Sequence, residues 1–118
     1  MKDTVFYIDT CKTCLRIMSG INDLSSFSKR NLKKKQITVE ELEWLKERVG
    51  SYEALFNKRA QKFRQLMPKG VELSEFDFRH LILSEYTFLK RPVFVYKGKV
   101  FVGNSKKVVE EVYKTVNG

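Results

Sequence analysis

The sequence predicts one α/β layered domain, and three observations point to it. An apolar run near the start, Val5-Phe6-Tyr7-Ile8, gives way to turn and capping residues and then to a helical apolar pattern. Near the end, Val93-Phe94-Val95-Tyr96 and Val100-Phe101-Val102 flank Lys97-Gly98-Lys99, which reads as a β-hairpin with a glycine-containing turn. Between these regions lie helical segments with their own start and stop signals. The order is β-α-β-α-α-α-β-β-α, with a helical insertion at about residues 38–84 between the second and third strands.

Taken in order, the first run is β-branched and aromatic throughout, as suits a short strand buried on both faces. Asp9 and Thr10 are turn and capping types, so a helix should begin at about Cys11, with Leu15, Ile17, Met18 and Ile21 on its apolar side and Gly20 loosening its end. Asn22 to Ser26 is a polar connection, and Phe27 to Leu32 alternates loosely, as an edge strand does. Thr38 with Glu41 forms a capping box for a helix to Val49, in which Val39, Leu42 and Leu45 face inward, Trp44 borders the stripe and Gly50 stops the helix. Ser51 caps a short helix through Tyr52, Leu55 and Phe56, and Asn57 to Arg64 is a basic surface segment, part loop and part helix. Met67-Pro68-Lys69-Gly70 is a break. Ser74 with Asp77 caps a helix through Phe78, Leu81 and Ile82, with His80 near its apolar stripe as an ordinary packed or surface histidine. After the hairpin, Asn104 or Ser105 caps a last helix with Val108, Val109 and Val112 inward, and the first and third strands pair in the sheet interior.

Composition bounds the function. The chain has 118 residues, 42% of them apolar and 13% aromatic, enough for a single core. Its apolar runs are too short to cross a bilayer, and no export signal is read at the N-terminus. Both cysteines sit in one CxxC, which excludes a disulfide scaffold and fits a reducing cytoplasm. The net charge of +9 suits nucleic acid, an acidic protein or an anionic substrate. The cluster Lys29, Arg30, Lys33, Lys34 and Lys35 is ordinarily a solvated face or edge-strand guard. Without zinc-finger spacing, an RNA-binding aromatic signature or a long basic helix, direct nucleic-acid recognition is not expected.

The chemistry concentrates in Cys11-Lys12-Thr13-Cys14. A cysteine at a helix N-terminus meets unpaired N–H groups and the positive end of the macrodipole, which lower its pKa, and Lys12 and Arg16 act in the same sense. Cys14 follows one helical turn later, within reach of a disulfide with Cys11. Strand, turn and CxxC at a helix start is the thioredoxin-like redox arrangement. Two other readings stand beside it: inert core cysteines, and half of a zinc site, for which the chain offers only His80 and carboxylates as further ligands. Haem attachment would need a histidine where Leu15 stands.

A wider set of motifs carries a family resemblance: the CxxC after a strand, Arg30-Asn31, Ile37-Thr38-Val39-Glu40-Glu41-Leu42, Asn57-Lys58-Arg59, Leu89-Lys90-Arg91-Pro92 and Val102-Gly103-Asn104. In these, over nearly its whole length, the chain resembles the ArsC/Spx family, which comprises glutaredoxin-linked arsenate reductases, their relatives and the Spx transcriptional regulators. The resemblance implies a thioredoxin-like fold with a mixed sheet and a cis Arg91–Pro92 bond that brings the backbone and Arg91 beside Cys11. It implies Cys11 as nucleophile, Arg59 and Arg91 as two of three oxyanion-holding arginines, and Pro92 at the substrate site. The third arginine falls where this chain has Val102-Gly103-Asn104 and is absent, while Cys14 is a feature of the Spx-like branch. Two functions follow as expectations. One is a thiol oxidoreductase acting on a small oxyanion or a disulfide, with Cys14 resolving and no cofactor beyond an external thiol such as glutaredoxin, glutathione or thioredoxin. The other is a redox switch that binds the RNA polymerase α-subunit.

Overall fold

The structure, a computed structural model, describes residues 1–66 and 70–118, so the break expected at Met67-Pro68-Lys69 lies outside the described residues. It divides into a sheet unit, Met1–Lys35 with Arg91–Gly118, and a helical unit, Gln36–Lys90.

In the sheet unit, β1 (Thr4–Tyr7), β2 (Ser28–Asn31), β3 (Val93–Tyr96) and β4 (Lys99–Val102) form one mixed sheet in the order β2-β1-β3-β4. β1 is parallel to β2 and antiparallel to β3, and β3 pairs antiparallel with β4. The first and third strands are therefore neighbours in the interior, and Phe27 to Leu32 supplies an edge strand, as expected. α1 (Lys12–Ser19) makes the crossover from β1 to β2, as a parallel pair requires, and α5 (Lys106–Asn117) follows β4. Val5 and Phe94, opposite each other in register, join Ile17, Met18, Ile21, Phe27 and Val112 in the core, with Val108, Val109 and Tyr113 packed against it. Lys97 and Gly98, at φ 47° and 80°, make a two-residue turn, which favours positive φ at both positions. Lys99 pairs with Tyr96, so it opens β4 instead of belonging to the turn. Leu15 is 44% exposed, against expectation. Cys14, Ile17, Met18 and Ile21 fill the i, i+3, i+4, i+7 stripe, and Leu15 lies off it.

In the helical unit, α2 (Val39–Val49) and α4 (Glu75–Ser84) begin in the two capping boxes, Thr38 with Glu41 and Ser74 with Asp77, and α3 (Gln61–Leu66) lies between them. Gly50 ends α2 at φ 98°. Leu42 and Leu45 are buried, but Val39 is 45% exposed because it precedes the first inward turn. Ser51 Oγ accepts the Ala54 N–H at 3.1 Å, yet the chain continues as a 3₁₀ turn, Glu53–Leu55, and not as an α-helix. Phe56 then bridges to Leu89, and its ring meets those of Phe63, Phe78 and Phe88. These contacts hold Phe56 extended. His80 is exposed, away from the apolar stripe. Among the described residues no helix is long and apolar enough to cross a membrane.

The C-terminal end of α1 is clasped by α5. Tyr113 Oη donates to the Ile17 carbonyl at 2.8 Å, beside that oxygen's bond from Gly20 N, and Asn117 Nδ2 donates to the Gly20 carbonyl at 2.8 Å. Gly20 has an ordinary right-handed conformation, but a Cβ there would collide with the Tyr113 phenol. At an exposed helical site glycine to alanine is favourable by up to about 1 kcal/mol. Gly20→Ala is expected instead to destabilise by about 1–3 kcal/mol through overpacking. Urea denaturation checks this, and a stabilised variant would refute the clasp.

Candidate active site

β1 ends where the Cys11 N–H bonds to the Ile8 carbonyl at 3.0 Å, turning the chain into α1. Cys11 is the N-cap, with extended φ −88° and ψ 104°, and its carbonyl accepts the first helical bond, from Leu15 N at 3.1 Å. Its sulfur accepts the backbone N–H of Cys14 at 3.4 Å. The cysteine thus occupies the place of a serine or aspartate cap. Thr10, expected to cap, is exposed and precedes this position, because the Ile8–Cys11 turn carries the chain one residue further before helical geometry begins.

The sheet brings Arg91 to this point. β3 runs antiparallel to β1 with Val93 opposite Phe6, so the start of β3 lies beside the end of β1. Pro92 is buried, its bond to Arg91 is cis, and its carbonyl accepts from Gly103 N at 2.9 Å. Arg91 is half-buried and interacts with Cys11 by charge and by a hydrogen bond.

The two thiols differ sharply. Burial is the largest single influence on Cys11 and disfavours its anion. The Cys14 N–H, the Cys14 thiol, and the charge and hydrogen bond of Arg91 together outweigh it and hold its pKa below the ordinary thiol value. Cys14 has no exposed surface. Burial is the largest influence and pushes its pKa up to about 12. The Ile8 backbone hydrogen bond, next in size, opposes it, the hydrogen bond and negative charge of Cys11 add to the rise, and the Arg91 charge opposes it least. One sulfur is half-exposed and shifted toward its anionic form, and its neighbour is a buried thiol hydrogen-bonded to it.

Of the residues singled out in sequence, Cys11, Cys14, Arg91 and Pro92 come together in the sheet unit. Arg59 belongs to the helical unit, exposed in the turn before α3, where its backbone N–H donates to Asn57 Oδ1 at 3.1 Å. Val102-Gly103-Asn104 leaves β4 with Gly103 at φ 92° and no guanidinium. Among the described residues no group of three or more His, Cys, Asp or Glu is placed to hold a metal ion. Sequence reasoning missed the role of Asn31, whose Oδ1 accepts from Asp9 N at 3.4 Å and Lys33 N at 3.2 Å and so braces the loop before Cys11. The available signal was an asparagine at a strand end, able to bond nearby backbone.

With this geometry established, comparison with known proteins gives a consistent result. The ArsC family matches residues 6–112. This chain belongs to the ArsC family. Among solved structures, it is similar to an arsenate reductase (ArsC) related protein from Brucella melitensis, with 26% identity, a TM-score of 0.72 and coverage of 97% of this chain and 96% of that one. A protein named YFFB superposes with a TM-score of 0.81 at 20% identity, covering 99% of this chain and 100% of that one. An arsenate reductase from Vibrio cholerae superposes with a TM-score of 0.72 at 15% identity, covering 97% of each chain. At those identities the last two show the thioredoxin-like fold alone. No curated protein matches the chain.

The Cys14 shift makes a prediction about stability. Its folded pKa, about 12, lies above the unfolded thiol value, which is about 8.5. Between the two the unfolded chain has lost a proton that the folded protein keeps, so the stability of the reduced protein falls as pH rises. Cys11 is shifted the other way, so its contribution grows with pH up to the unfolded value and is constant above it. Denaturation with reductant present, from pH 8 to 10, is expected to show a steeper loss in wild type than in Cys14→Ala. Parallel curves would contradict the assignment.

Proposed function

We propose that this protein is a thiol–disulfide oxidoreductase of the ArsC family with Cys11 as nucleophile and Cys14 as resolving thiol. The observation that carries this reading is the contrast between the sulfurs: a partly exposed cysteine at the helix start whose pKa is lowered, and a buried partner one turn on whose pKa is raised. The Cys11 thiolate attacks one sulfur of a substrate disulfide, the S–S bond breaks, and one thiolate leaves, stabilised by the Arg91 charge. In the mixed disulfide Cys11 is neutral, so its charge and hydrogen bond no longer add to the Cys14 pKa; burial still raises it, and the Ile8 backbone and Arg91 still lower it. Cys14 then attacks the Cys11 sulfur, its proton passing to the departing thiolate, which closes the Cys11–Cys14 disulfide and releases the second thiol. Two electrons pass from the protein to the substrate, and an external thiol such as glutathione, glutaredoxin or thioredoxin restores them.

A disulfide suits this site better than arsenate. The Brucella and Vibrio relatives are named for arsenate reductase, but the chain lacks the third arginine that the sequence motif places at Val102-Gly103-Asn104. Losing such a residue removes a strong charge-assisted contact to an oxyanion.

The test is trapping. Reduced Cys14→Ser treated with bis(2-hydroxyethyl) disulfide is expected to accumulate a mixed disulfide on Cys11, read by mass spectrometry. Wild type should pass on to the intramolecular disulfide, and Cys11→Ser should do neither. Equal reaction of Cys11→Ser and wild type would overturn the assignment. The same pair of thiols supports a second reading, a Spx-like switch whose disulfide state governs binding to RNA polymerase. Oxidation-dependent capture of the C-terminal domain of the polymerase α-subunit, by a protein that turns over no disulfide, would favour that reading.

A further inference from the structure

β1 and β2 run parallel with Tyr7 opposite Asn31, so the segments that follow them leave the sheet at the same end. One is the loop to Cys11. The other is the turn Leu32 to Lys35, whose three consecutive lysines, Lys33, Lys34 and Lys35, are all exposed. The turn is held in shape: Leu32 N bonds to the Tyr7 carbonyl at 2.8 Å, and the Asn31 carbonyl accepts from both Lys34 N and Lys35 N at 3.0 Å. Arg30 Nη2 reaches the Lys35 carbonyl at 3.5 Å, and Asn31 Oδ1 joins Lys33 N to Asp9 N. The turn therefore places positive charge at the same end of the sheet as the loop to Cys11, tied to that loop by the Asp9–Asn31 bridge. The exposed Lys12 and Arg16 of α1 add to this charge, and Lys29 continues it along β2, while the nearby Asp9 carboxylate opposes it.

We infer that the Lys33–Lys35 turn is a docking surface for an acidic polypeptide segment carrying the disulfide that Cys11 attacks, an inference that rests on the exchange chemistry above. The lysines follow β2, in a turn next to the loop that carries Cys11 and joined to it by the Asp9–Asn31 bridge. A polypeptide, advancing about 3.3 Å per residue, can hold its disulfide at Cys11 and lay carboxylates a few residues away on the turn. Complementary charge of this kind acts mainly on the rate of encounter.

The experiment measures mixed-disulfide formation by the reduced, full-length Cys14→Ser protein with four probes. These are a cystine-linked peptide flanked by three glutamates, the same peptide flanked by three lysines, glutathione disulfide, and the neutral bis(2-hydroxyethyl) disulfide. At low salt the acidic peptide is expected to react at least about tenfold faster than the basic one, with the gap closing in 0.5 M salt. Adding Lys33→Glu, Lys34→Glu and Lys35→Glu should erase that gap while the neutral disulfide keeps its rate, and the three lysine-to-glutamine changes should give an intermediate result. No preference between the peptides, or no effect of the charge reversal, overturns the docking surface. Equal slowing of glutathione disulfide and the acidic peptide also overturns it, in favour of a small-anion site. Failure of the parent protein to react with the neutral disulfide would instead defeat the exchange chemistry itself.

Discussion

The site depends on one hydrogen bond, from the Cys14 backbone N–H to the Cys11 sulfur. A helix start leaves amide hydrogens without partners, and most proteins offer them a hydroxyl or carboxylate. Here the acceptor is the sulfur itself, so the local need of α1 and the chemical need for a thiolate are met by one contact. Loss of the proton from Cys11 strengthens the cap, and the cap holds the sulfur at the mouth of the helix. Cys14 contributes a backbone donor to Cys11 and, from the same residue, a buried thiol that stays protonated while the anion persists.

The sheet explains why the other participants arrive at this place. β1 is central, with a parallel neighbour on one side and an antiparallel neighbour on the other. Its C-terminal end therefore lies between the end of β2 and the start of β3. The first supplies Asn31 and the lysine turn, and the second supplies Arg91 and Pro92. Mixed strand direction thus gathers residues more than 50 positions apart in sequence around a single sulfur without a long loop. The clasp of α5 on the far end of α1, through Tyr113 and Asn117, secures the helix that carries both cysteines.

Much of this was legible because the signals are local. The capping boxes at Thr38 and Ser74 involve side chains three residues from the groups they bond, and the hairpin announces itself through Gly98. The CxxC after a buried run gave the strand, the helix start and the candidate nucleophile together. What stayed hidden depends on partners distant in sequence. Phe56 reads as helical until Leu89 pairs with it, and Leu15 reads as core until Cys14 takes its place in the stripe. Cys11 as the cap itself was missed because cysteine is not among the residues expected there, and Asn31 because its partner, Asp9, lies on a neighbouring strand's exit.

The central claim is that amide donors and Arg91 outweigh burial and hold the Cys11 thiol below its ordinary pKa. The direct measurement is the rate of alkylation of Cys11 by iodoacetamide against pH, followed by peptide mass spectrometry, in wild type and in Arg91→Ala. The account predicts a midpoint below the ordinary thiol value of about 8.5 in wild type, moved upward in the variant, with Cys14 unmodified across the range. A wild-type midpoint at or above that value, or one that Arg91→Ala leaves in place, would contradict it.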